Sequence, residues 1–341
     1  MNHPVNQRRT LITALGAGAL GQVMALPAIA QAQGKPAEKI WRVGYLGTRT
    51  RPASIDADFA NGFVQGLRER GYVEGRNLVI EWRFAGNDLA RVPGLAFDLV
   101  QLKPDVIVSG ASQGISALQK ATSTIPLVML GINDPTGSGF VASLAHPGGN
   151  ITGTSNNSTD IAAKQLQVLL EIAPKVKRVA VLLNPDNRSS AAILSTIVTT
   201  AQKKAGVIIL PFEARTAPAI EPAFALMKQG RAEALMVTGD AMFHGQLPAI
   251  AALAIRQRLP SVALIRQYAD AGGLMSYGSS FRENFRRAAY YVDRIFRGAK
   301  PAGLPVEEPA HFELLINGKT AKALGLKIPQ ALLIMAEKVI E

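Results

Sequence analysis

Two kinds of hydrophobic pattern alternate along this chain. Short unbroken runs of Val, Ile, Leu and Ala are each followed by a polar or Gly-containing turn, then by a longer stretch in which apolar residues recur every three or four positions. An unbroken apolar run of four to seven residues reads as a strand buried on both faces, and the longer period as one face of a helix. Strands are predicted at 42–46, 78–84, 106–109, 127–130 and 151–154, with helices at 55–70, 90–101 and 113–123. A second series follows, with helices at 159–172, 189–205, 217–229 and 244–258 and strands at 178–183, 207–211, 234–237 and 262–265. Strand–helix alternation of this kind builds parallel sheets covered by helices, so the expected fold is α/β with two doubly wound, Rossmann-like lobes.

The tail offers a strand at 274–277, a helix at 281–297 and a strand at 312–316. So few strands cannot make a sheet of their own, and each must complete one formed earlier. The lobes are therefore expected to comprise 39–155 plus 275–299, and 156–270 plus 308–341, joined by a three-segment hinge near 154–158, 268–275 and 299–311. Lobes joined in this way bend, and a ligand held between them stabilises the closed form.

The first 32 residues follow a different rule. Arg8-Arg9 precede an apolar run from Leu11 to about Leu26, and small residues follow at Ala28-Ile29-Ala30 and Ala30-Gln31-Ala32, which makes 1–32 a signal peptide cleaved near 30–32. The Arg pair followed by Thr10-Leu11-Ile12 fits a twin-arginine signal in part, with an ordinary secretory leader as the other reading. Gly16, Gly18, Gly21 and Pro27 break the run, which is too short to span a bilayer. The expected location is the periplasm.

Composition then removes several classes. Hydrophobic residues are 48% and charged residues 18% of the 341, enough apolar matter for a large core. The formal net charge is +12, about +10 without the leader's Arg8 and Arg9, yet the basic residues are scattered and aromatics are only 6%, so no nucleic-acid partner is expected. Cysteine is absent, which excludes disulfides, thiolate metal sites and a cysteine nucleophile. Four histidines without metal-ligand spacing add no metal site, and no cofactor is expected.

Particular residues carry a resemblance. They are Val43-Gly44-Tyr45-Leu46-Gly47, then Phe63-x-x-Gly66-Leu67 running on to Gly71-Tyr72 and Gly75-Arg76-Asn77, then Ile125-Pro126-Leu127-Val128. Asp134-Pro135 and His146-Pro147-Gly148-Gly149-Asn150-Ile151-Thr152-Gly153 follow, and the chain closes on Leu315-Ile316-Asn317-x-Lys319-x-Ala321-x-x-Leu324-Gly325-Leu326-x-Ile328-Pro329. From about residue 40 to its end the sequence resembles ABC-transporter substrate-binding proteins of the type I periplasmic-binding-protein fold, the group that includes tryptophan- and tyrosine-type uptake receptors. The resemblance implies a monomeric receptor that takes a small ligand, an amino acid or related carboxylate, and hands it to a membrane permease. It implies no catalysis.

In doubly wound sheets ligands sit beyond the carboxyl ends of the strands. After the strand at 106–109, Ser112 and Gln113 open a helix whose free N–H groups suit a carboxylate, although Ser112 would serve equally as a cap. Asp134 could take an ammonium or fix a turn, and Asn184 ends the strand at 178–183. Asp240 follows the strand at 234–237 with no basic neighbour. It is the foremost candidate for a ligand ammonium, as the resemblance also implies, with helix capping as the alternative. Thr48 and Tyr277 complete the set, Tyr277 either touching ligand or plugging the interlobe core.

A rival reading is a secreted serine hydrolase or esterase. Gly110-x-Ser112-x-Gly114 is a literal G-x-S-x-G between strand and helix, and Asp240 and His311 follow in hydrolase order. Too little sheet precedes Ser112 for that fold. A sensing domain of a transcription regulator would need a helix-turn-helix where this chain carries a leader.

Overall fold

The computed structural model describes residues 39–56, 58–204 and 206–341; the predicted signal peptide lies outside them. The first series of elements is β1 (Trp41–Gly47), α1 (Asn61–Glu69), β2 (Leu78–Phe84), α2 (Val92–Gln101), β3 (Val106–Ser109), α3 (Ser112–Ala121), β4 (Leu127–Ile132) and β5 (Ile151–Ser155). Its strands pair in parallel in the order β2-β1-β3-β4-β5. The second series runs α4 (Ser158–Ile172), β6 (Arg178–Leu183), α5 (Ser190–Gln202), β7 (Ile208–Glu213), α6 (Ile220–Gln229), β8 (Ala234–Val237), α7 (Ala241–His244), α8 (Leu247–Arg256), β9 (Ser261–Ala263) and α9 (Gln267–Asp270). The tail adds β10 (Met275–Gly278), α10 (Phe281–Phe296), β11 (Glu313–Asn317), α11 (Gly318–Leu324), α12 (Gln330–Met335) and β12 (Lys338–Ile340). The second sheet is ordered β12-β11-β10-β9-β8-β6-β7 and is parallel except where β11 runs against β10.

Strands β3, β4 and β8 are buried at every position, which is why they read as unbroken apolar runs. One core cluster contains Val43 and Val108 of the first sheet, Leu182 and Leu235 of the second, and Phe281 and Phe285 of α10.

The tail corrects the expected division of the chain. Segment 275–299 does not go to the first lobe as a unit, because β10 lies between β9 and β11 in the second sheet, with Met275 and Ser276 sealed by both neighbours. Only α10 packs on the first lobe, against α1, β4 and β5. The second crossing is thus the short link 279–280 and not 268–275. The third begins where Glu307 adds to the edge of β5, donating its N–H to Gly153 O at 3.1 Å and accepting from Ser155 N at 2.8 Å.

Several predicted helices are shorter in the structure, two of them for reasons the loops make plain. The one expected from residue 55 starts at Asn61, because Asp58 turns the preceding loop and accepts from Ala60 N at 2.8 Å. The one expected at 244–258 becomes α7 and α8, parted at Gly245-Gln246 ahead of Pro248.

Candidate functional site

Each sheet has one point where the winding reverses, between β1 and β3 in the first and between β6 and β8 in the second. There the flanking helices lie on opposite faces and leave a crevice beyond the strand ends. The two crevices face each other and leave two small, half-open cavities of about 20 Å³ each, roughly the room for one water. Gly110, Ala111, Ala241, His244 and Phe281 line both. One chamber is otherwise polar, with Ser112, Gln113, Asn133, Asn156, Asn187 and Asp240. The other is aromatic, with Tyr45, Phe59 and Phe285 beside Thr48 and Arg49.

The polar chamber is built by a helix start with no side-chain cap. Ala111, extended at φ −133°, occupies the cap position of α3 and offers no oxygen to the first-turn N–H groups. Ser112 is therefore not the cap, and it lines the cavity together with the uncapped helix end. Gly114 allows this approach, since a Cβ there would collide with Ser109 Oγ, which donates to Leu46 O at 2.8 Å.

Opposite stands Asp240, 2% exposed, which serves as more than a cap. One oxygen accepts from Met242 N at 2.9 Å and so caps α7, and Asn184 Nδ2 reaches the same oxygen at 3.3 Å. The other accepts from Asn187 Nδ2 and, across the cleft, from Gln113 Nε2, both at 3.0 Å. Asn133 Nδ2 also crosses, donating to Gly239 O at 2.7 Å. Outside the cavities Arg188 ties the lobes again through Ser138 O at 2.8 Å, its guanidinium 5.6 Å from the Phe140 ring.

Of the predicted site residues, Thr48, Ser112, Gln113 and Asp240 line the cavities and three do not. Asp134 holds a turn, accepting from Gly137 N at 2.8 Å in a left-handed conformation with φ 33°. Its neighbour Asn133 takes the cleft position because β4 bulges at Gly131, which shifts its register against β5 by one residue. Asn184 is fully buried behind Asp240 and orients it. Tyr277 stacks on Phe312 at 6.3 Å, packs against two core clusters and lines neither cavity. Burial raises its phenol pKa.

Sequence reading missed Arg49, Phe59, Asn133, Asn156, Asn187, His244 and Phe281. Several stand within a few residues of a strand end, the one signal available, Phe281 among them at three residues past β10; Phe59 has none. The hydrolase triad is not assembled: His311 is exposed on the third crossing, and the Asp240 carboxylate is engaged by amides.

Charge in the aromatic chamber is held close. Arg49 pairs with Asp58 and lies over the Phe59 ring at 4.4 Å. Burial pushes the Tyr45 phenol up to about 12, against a smaller opposing effect of Arg49. His244 keeps some surface, but its Nε2 is buried and without a partner, and its ring meets Phe281 edge-on at 5.2 Å. Burial lowers its pKa from 6.5 to about 4, Arg49 adding to the effect and Asp240 opposing it.

A pH dependence follows. The closed form takes up this proton less readily than an open or unfolded chain, so stability is complete above about pH 6.5 and is lost as pH falls toward 4. With the remaining surface discounted, the loss between pH 6.5 and 5 should be about 1 kcal/mol. Melting curves of wild type and His244→Gln at pH 7.5 and 5.0 check this. Equal acid losses in the two proteins would show that His244 is not the group responsible.

Among the described residues no helix is long and apolar enough to cross a membrane, and no cluster of His, Asp and Glu could hold a metal ion. Known proteins share both sequence and architecture with this chain. It is 27% identical over 267 residues to a tyrosine-binding protein of Clostridioides difficile (strain R20291), which covers 78% of this chain and 76% of the relative. The structure of an ABC domain in complex with L-Trp from Streptococcus pneumonia matches with a TM-score of 0.82 at 26% identity, over 89% of this chain and all of the other. The ligand-free, open structure of a substrate binding protein with adhesive properties from Clostridium difficile matches at 0.63 and 24% identity, over 88% of this chain and 99% of the other. The sequence profile described as "ABC transporter substrate binding protein" spans residues 53–340, and with two parallel-sheet lobes of type I periplasmic-binding-protein form, the chain belongs to that family.

Proposed function

We propose that this chain is the receptor of an import system for an aromatic amino acid, which it binds between its lobes and delivers to a membrane permease. The observation that carries the reading is the division of the cleft into a polar and an aromatic chamber with shared walls. A ligand with a zwitterionic head and an apolar ring matches that division. Its carboxylate would meet the uncapped start of α3 and the Ser112 hydroxyl. Its ammonium would meet Asp240 and the buried, unpartnered Oε1 of Gln113, and its ring would lie among Tyr45, Phe59, Phe281 and Phe285. Relatives named for tyrosine and crystallised with L-Trp support the same class.

Closure supplies the selectivity, because only the closed form brings both lobes onto one ligand. Gln113 to Asp240 and Asn133 to Gly239 O are direct lobe-to-lobe hydrogen bonds, which an entering ligand must replace with its own. The better match to the L-Trp complex than to the open, ligand-free structure supports reading this arrangement as closed. The same reading has the protein exported with its leader removed near residues 30–32 and acting as a monomer.

The test is thermal unfolding of the protein lacking residues 1–32, refolded to strip carried ligand, against the amino acids and simple carboxylates. A true ligand at about 100 times its Kd adds about 2.7 kcal/mol, or about 4 °C for a chain of this size. Shifts confined to aromatic amino acids are expected, and a shift from aliphatic amino acids or simple carboxylates alone would overturn the reading.

A further inference from the structure

Of the polar side-chain atoms of the aromatic chamber, one among the described residues is buried and has no hydrogen-bond partner. Arg49 is engaged by Asp58 and by the Phe59 face, and the Asp240 oxygens are taken by Met242 N and three amides. His244 has no side-chain hydrogen bond; its Nε2 is buried and lacks a partner, although the residue lines both chambers. The helix that carries it is set by the Asp240 cap, and its ring is held edge-on by Phe281. An imidazole nitrogen kept from water in an aromatic wall costs free energy unless something bonds to it.

We propose that His244 is the specificity-determining residue of this cleft, hydrogen-bonding the polar atom at the far end of an aromatic side chain, a phenol hydroxyl or an indole N–H, and thereby rejecting phenylalanine. The inference rests on the reading that the cleft binds aromatic amino acids. The ligand's head is accounted for by α3 and Asp240, which discriminate no side chain; Phe59, Phe281 and Phe285 hold any ring alike. Selection among rings then falls to the group whose hydrogen bond only some of them can complete. A site built to bond a ligand O–H or N–H rejects the isostere without it more strongly than an apolar pocket separates sizes.

The experiment is titration calorimetry of L-Tyr, L-Trp and L-Phe against wild type, His244→Leu and His244→Gln at pH 7.5. Wild type should bind Tyr or Trp roughly ten- to a hundredfold tighter than Phe. In His244→Leu, which keeps an apolar wall, that ratio should fall to within about threefold, with Phe binding at least as tightly as before. His244→Gln, which restores a donor and an acceptor, should keep part of the preference. General destabilisation would weaken all three ligands together and leave the ratio unchanged. Wild type binding Phe as tightly as Tyr and Trp would overturn the inference and leave the receptor reading intact. So would a preference that persists in His244→Leu. Binding of none of the three would overturn both.

Discussion

Replacing Asp240 with Asn should weaken the binding of an aromatic amino acid by about 2 to 4 kcal/mol, roughly thirty- to a thousandfold in Kd. The carboxylate is 2% exposed and faces the polar chamber, so losing its charge leaves a ligand ammonium desolvated and without a counter-ion. Asn is the informative substitution because its oxygen can still accept from Met242 N and cap α7. Asn does place an NH2 against the Asn187 and Gln113 amides, of which Gln113 can turn its unpartnered Oε1 to meet it, whereas Ala would remove the cap as well and strip the Asn184, Asn187 and Gln113 amides of their acceptor, mixing lost affinity with lost fold. Calorimetry should therefore be run on Asp240→Asn with the amino acid and with the corresponding aryl-propanoate, which has no ammonium. A large loss for the first and little for the second is expected. Equal small losses, under about threefold, would make Asp240 a structural hub that never meets the ligand charge.

Why Asp240 was legible in the sequence, and His244 was not, comes down to where each stands. Parallel strands buried on both faces leave unbroken apolar runs, so β3, β6 and β8 were bounded to the residue, and the polar residue next after such a run is marked as a cleft candidate. Ser112 and Asp240 were found that way. Asp134 misled because a bulge at Gly131 moves the cleft position to Asn133, and a one-residue bulge leaves no mark in hydrophobic periodicity. A lone His on a mostly apolar helix reads equally as core or ligand, and the choice depends on whether a neighbour completes its hydrogen bond. Phe59 reaches the aromatic chamber from a loop, which no strand-end rule anticipates, and Phe281, three residues past β10, was read only as the start of a helix. Strand β10 was found, but its sheet was not, since periodicity carries no information about the partner strand. The three-residue β12 is too short for any pattern.

The largest stability effect is expected far from the cleft, at Gly66. Helix α10 leaves the second sheet to pack on α1, and the two backbones approach so closely that a Cβ at Gly62 would collide with Arg282 O and one at Gly66 with Arg286 O. The Gly66 Cβ would also lie 2.8 Å from that of Ala289, a fully buried residue. Backbone atoms in a packed helix cannot step aside, so Gly66→Val should cost about 3 kcal/mol or more, lowering the melting point by about 5 °C. The ion pair beside it, Arg286 to Glu69 at 3.0 Å, is exposed on both sides, and Glu69→Gln should cost at most about 0.5 kcal/mol. Close packing, and not charge, thus holds α10 on the first lobe. Because α10 also carries Phe281 and Phe285, displacing it should weaken ligand binding together with stability. Denaturant unfolding and calorimetry on Gly66→Val and Glu69→Gln measure both quantities. A Gly66→Val protein that unfolds at the wild-type midpoint and binds ligand unchanged would show that α10 does not dock through this contact.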